Sequence, residues 1–189
     1  MKDICEYNGK VYTRKNLKWV DKDYFVVPTY LQHILNTLSF DEDMSALSYT
    51  EAVKEGDRYK ASESYTLAVK YYEAAISKTE NISGISVVLP RITSCYRKIG
   101  TPRKAIELLS KTKAEHGEDF INSVLLTSVA AAYCDLGEPE NALRCCRWAY
   151  KNLKVKSSKA ESLELSNVFI RAKKMIDPDY SREDDFDED

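Results

Sequence analysis

From about residue 49 onward, apolar residues recur every three or four positions, the spacing of helices with one buried face. Between 123 and 136 they fall at Leu125, Leu126, Val129, Ala132, Tyr133 and Leu136. Gly137 ends that helix, and Pro139 opens the next at its first turn, where a missing N–H costs nothing. The same punctuation stands one unit earlier: Gly100 stops a helix, Thr101 is placed to cap the next, and Pro102 fits its first position.

The pattern repeats at a fixed interval. Aligning "YTLAVKYYEAAI" (65–76), "PRKAIELLSKTK" (102–113) and "PENALRCCRWAY" (139–150) superposes Ala68, Ala105 and Ala142, 37 residues apart each time. Ala75, Thr112 and Ala149 follow in register, as do Tyr72, Leu109 and Cys146. Upstream stand Glu63, Gly100 and Gly137, and before them Tyr59, Tyr96 and Tyr133. Each unit reads as helix, turn, helix. The small residues let two helices approach closely, and the tyrosines fill the space between them.

Over roughly residues 49–150 this resembles the tetratricopeptide repeat family. "EGDRYKASESYTLAVKYYEAAI" and "AAAYCDLGEPENALRCCRWAY" stand closest to its pattern, and "ITSCYRKIGTPRKAIELL" is a clear middle copy. The family period is about 34 residues. The extra residues are expected in longer loops, at "TENISGI" (79–85) and "AEHGED" (114–119). The first copy carries Glu63 where the family favours Gly. The resemblance implies an all-α array of antiparallel helix hairpins, three repeats long, with capping helices.

Two flanks complete the chain. In residues 160–176, Leu163, Leu165, Val168, Phe169, Ala172 and Met175 or Ile176 suit a closing helix over the last repeat. In the first 45 residues, Asn8-Gly9 between β-prone residues signals a small hairpin. "TYLQHILNTLSF" (29–40) places Leu31, Ile34, Leu35 and Leu38 on one helical face, for packing on the outer side of the first repeat. The expected organisation is an N-terminal extension (1–45), a helical repeat domain with its closing helix (46–176), and an acidic disordered tail (177–189).

Charge sharpens that last boundary. The chain carries −2 overall. Residues 177–189 hold eight acids and one Arg, net −7, so the remainder is +5 (−2 minus −7). Such a block is a solvated segment by composition. It could fold back across the basic stretch at Arg97 and Lys98. No apolar run approaches the length of a membrane span, and "MKDICEYNGK" lacks a secretory leader's pattern, so a cytoplasmic chain with reduced cysteines is expected.

The candidate chemistry is sparse. Cys145 and Cys146 are adjacent and therefore about 100° apart on a helix, so one ion could not easily take both. No Cys-x-x-Cys pair occurs, and His33 and His116 stand alone. In register Cys146 takes the slot of Tyr72 and Leu109, a core position. No metal, no cofactor and no catalytic residues are expected, and the six glycines form no phosphate loop. Arg91, Arg97, Lys98, Arg103 and Lys104 cluster in the second repeat, and Lys151, Lys154, Lys156 and Lys159 follow the third. With the tyrosines in core slots, nucleic-acid binding is disfavoured. Neither is a membrane partner expected.

The family resemblance implies a protein-interaction module, an adaptor that holds a partner peptide or helix in a concave groove. By register the groove falls at Val53, Asp57, Lys60 and Ala61, then at Val87, Pro90, Ser94, Arg97 and Lys98, then at Val124, Thr127, Ala131, Cys134 and Asp135. Val53 and Asp57 stand where some members place a carboxylate clamp, so capture of a chaperone tail is not implied. Pro90 would kink its helix or delay its start. The alternative is a self-associating scaffold, a homo-oligomer stacked through an incomplete cap.

Overall fold

The computed structural model describes residues 3–39, 44–153 and 158–181. Over these the chain is mostly helical, with a small antiparallel sheet at its N-terminus. It divides into two compact units, Met1–Ile99 and Gly100–Asp189.

The first unit opens with β1 (Ile4–Tyr7), β2 (Lys10–Lys15) and β3 (Lys18–Val20), paired in that order. Asn8 and Gly9, at φ 50° and 70°, form the two-residue turn that puts Tyr7 opposite Lys10. That hairpin was legible from the Asn-Gly pair. β3 was not, because Asn16 and Leu17 make its turn at φ 48° and 65° with no glycine to announce it. Helix α1 (Thr29–Ser39) lies on this sheet, burying Leu31 and Leu35 with Tyr12, Trp19 and Val27. Leu38, expected on the same face, is 56% exposed. The Trp19 indole N–H donates to Asn36 Oδ1 at 2.8 Å, satisfying the one polar atom of a fully buried ring.

Helix α2 (Tyr49–Ala61) starts at a capping box: Ser48 and Glu51 satisfy each other's backbone N–H groups. It packs on α3 (Tyr65–Ser77), which packs on α1 and on α4 (Ile82–Ile99). α1, expected to pack on the first hairpin, thus meets it through α3. α4 begins eight residues before Pro90 and runs through it, so the proline does not delay the start. Of the two loops expected to be longer, the first is not, since only Lys78–Asn81 separate α3 from α4, whereas residues 117–122 separate α5 from α6.

The second unit holds α5 (Pro102–His116), α6 (Ser123–Asp135), α7 (Pro139–Asn152) and α8 (Lys159–Ile176). Gly100 and Gly137 precede α5 and α7 at φ 82° and 75°. Thr101 makes no side-chain cap on α5, contrary to the expectation. α6 packs on α7 and α8 around Leu126, Ala130, Ala142, Cys146, Leu165 and Ala172. α8 has its own capping box, Ser158 with Glu161. Its buried face is narrower than the sequence suggested. Leu165, Val168 and Ala172 face inward, while Leu163, two residues from Leu165 and so on the opposite side, is 58% exposed.

The expectation of a disordered tail over 177–189 falls for 182–189 outside the described residues. Its first part is placed: Tyr180 is buried, and the Lys173 ammonium lies 5.1 Å from its ring centre.

Candidate binding surface

In the first unit, Asp57 joins three helices. Its Oδ1 accepts from the Tyr72 hydroxyl of α3 at 2.6 Å, and its Oδ2 accepts from Arg91 of α4 at 3.2 Å. Tyr72 is fully buried, and burial and the Asp57 hydrogen bond both push its phenol pKa upward. A bond of this kind to a charged acceptor contributes about 1.5–3 kcal/mol. Asp57 stays exposed, so it holds the helices in place and still faces solvent. Tyr96 of α4 adds a second tie to α3, its hydroxyl donating to Glu73 Oε1 at 2.7 Å.

Lys60 of α2 lies close enough to α4 to act on Cys95. Burial pushes that thiol up to about 11, Lys60 opposes the shift, and Asp57 adds to it. Ser94 and Arg97 of α4 are half-buried, and Lys98 is exposed. Of the first unit's predicted groove residues, Asp57 and Lys60 are thus set beside α4. Lys98 lines a separate cleft of about 290 Å³ with Lys18, Gln32, Glu63 and Ser64. Residues of the N-terminal extension, which the repeat register left out of the groove, therefore help form the cleft beside Lys98. The Lys18 ammonium pairs with Glu63 across that cleft at 3.3 Å.

The second unit corrects the sequence reading. Thr127, Ala131 and Cys134, expected to line an open groove, are all buried. Ala131 and Cys134 lie in the core with Leu165 and Val168 of α8. The Thr127 hydroxyl donates to the Ser123 carbonyl at 2.8 Å. Only Asp135 of that set is exposed, and it pairs with Arg171 of α8 at 2.7 Å. The signal was present in the sequence: "SVLLTSVAAAY" is apolar or small all round, and such a helix is buried on every side.

Cys146 is fully buried, as its register slot predicted, and burial pushes its thiol up to about 12. Cys145 is partly buried against the same core, its thiol held at about 11 despite Arg144. Thiols so raised stay protonated at neutral pH and behave as small apolar groups. None of the five cysteines forms a disulfide. Among the described residues no three His, Cys, Asp or Glu side chains converge as a metal site would require. His33 bonds Thr66 of α3, and His116 sits at the end of α5.

Among the described residues no helix is long and apolar enough to cross a membrane. No known protein family, curated protein or solved structure matches the chain.

Proposed function

We propose that this chain is a protein-interaction module of tetratricopeptide-like helix hairpins, an adaptor in the cytoplasm. It takes an extended or helical segment of a partner along the α2–α4 face of its first unit. The carrying observation is the Asp57 junction. It ties α2 to α3 and α4 and leaves Asp57, Lys60, Ser94 and Arg97 as polar groups on adjacent helices. The register supports the hairpin reading, since Ala68, Ala105 and Ala142 are all buried and Glu63, Gly100 and Gly137 all adopt positive φ.

Asp57 offsets Arg91, so Lys60 leaves the face net positive, and its partner segment is acidic. A peptide library displayed against the whole protein tests this. Selected peptides are rich in Asp and Glu, and the variant Lys60→Glu loses severalfold in affinity for them. Peptides that bind this variant as well as the parent would remove the assignment.

Self-association is the second reading. The C-terminal end of α8 exposes Met175 and Ile176 at 39% and 50%, apolar surface that a second copy could cover. Sedimentation decides it: a mass independent of concentration rules out the scaffold.

A further inference from the structure

Helix α7 of the second unit carries a charged face of its own. Ala142, Leu143, Cys146 and Ala149 turn inward. Outward, on one stripe, stand Arg144, Arg147, Trp148 and Lys151, all exposed, with Glu140 at its start. Arg144 donates to Asn141 Oδ1 at 2.5 Å, and among the described residues Arg147 and Lys151 have no ion-pair partner. Like charges three and four residues apart on a helix repel. Here they surround a tryptophan left 38% exposed. The pattern suits an anionic segment that brings an aromatic residue of its own.

Such a segment leaves the described structure nearby. The Tyr180 ring centre lies 5.1 Å from the Lys173 ammonium, which lies 5.6 Å from the Phe169 centre. Phe169 meets Tyr150 edge-on at 6.1 Å, and Tyr150 directly precedes Lys151. From Ser181 the chain continues Arg-Glu-Asp-Asp-Phe-Asp-Glu-Asp, six acids and one Arg around Phe186. Eight residues extend up to about 27 Å, while Arg144 to Lys151 spans only about 10 Å of helix.

We propose that the outer face of α7 is a docking surface whose occupant is the chain's own residues 183–189. The carboxylates meet Arg144, Arg147 and Lys151, and Phe186 lies against Trp148. This does not rest on the α2–α4 reading, and any external ligand of α7 must displace the tail.

Trp148 is the reporter, because Trp19 is fully buried and bonded to Asn36. A peptide of residues 181–189 is titrated into three proteins: the full chain, the chain ending at Ser181, and that shortened chain with Arg147→Glu and Lys151→Glu. Circular dichroism and melting temperature must match across all three. The shortened chain gives a saturable change in Trp148 emission. The half-saturation point rises at least tenfold between 50 and 500 mM salt, since attraction between exposed charges is screened over about 10 Å at 0.1 M. The charge-reversed protein binds at least tenfold more weakly, and the full chain barely responds because its face is already covered. No response by the shortened chain would overturn the proposal, as would an equal response by the charge-reversed protein or an undiminished one by the full chain. A dimer that disappears when the tail is removed would also overturn it, by naming a second copy's tail as the occupant.

Discussion

Gly56 lies against the ring of Tyr72 so closely that a Cβ on it would come within 2.5 Å of Cδ1 and Cε1. A glycine inside a helix ordinarily costs about 1 kcal/mol relative to alanine. Here it lets α2 and α3 approach until the Tyr72 hydroxyl reaches Asp57. Gly56→Ala should therefore destabilise, by about 1–3 kcal/mol, because the ring is fully buried and cannot swing away. Urea unfolding measures it, and a more stable variant would show that the ring is elsewhere.

Glu63 holds φ 62°, in the position where the matching turns use Gly100 and Gly137. Left-handed backbone costs an L-residue about 1–2 kcal/mol. The ion pair with Lys18 is exposed and offsets at most about 1 kcal/mol of that. Glu63→Gly should raise stability by up to about 1 kcal/mol, whereas Gly137→Ala should lower it. Thermal melts of the two variants, read side by side, check the opposite signs.

The adjacent cysteines separate in the same way. Cys146→Ser puts a hydroxyl into a site with no exposure and should cost about 1–3 kcal/mol. Cys145→Ser, only partly buried, should cost less than half as much. Equal losses in denaturant midpoint would contradict the core boundary drawn through α7.

Much of the fold was legible because helix punctuation and apolar period reinforce each other. Gly137 before Pro139 marks one turn without reference to packing. β3 escaped because Leu17 holds a left-handed turn that no propensity rule expects, and Trp19 is anchored by partners well along the chain, its backbone bonded to Gln32 and its indole to Asn36, seventeen residues on. The capping boxes Ser48–Glu51 and Ser158–Glu161 stood in the sequence as S-x-x-E and would have fixed the starts of α2 and α8. The candidate surface was legible in part. Asp57 and Lys60 lie beside α4 as the register suggested. Ala131 and Cys134 do not line a groove, since register gives a side chain's direction but not whether another helix covers it. The roles of Lys18 and Gln32 depend on a sheet returning to the start of α3, which no local pattern encodes.

His33 should make the first unit sensitive to acid. Its Nδ1 lies 2.8 Å from the Thr66 hydroxyl, its Nε2 is buried without a partner among the described protein atoms, and burial lowers its pKa below 6.5. The unfolded chain thus binds a proton that the folded chain resists, and stability falls as pH drops through 6.5. His33→Gln should flatten that slope between pH 7 and 5 without changing the rest of the profile. An unchanged slope in urea unfolding would show that the ring titrates freely.

The central claim is that α2 and α4 form the binding face. Hydrogen exchange on the whole protein, with and without a saturating selected acidic peptide, tests it most directly. The account predicts slowed exchange in α2 and α4, around Asp57, Lys60, Ser94 and Arg97, with α6 unaffected because its Ala131 and Cys134 are already in the core. Protection confined to α6 through α8, with α2 and α4 unchanged, would contradict it.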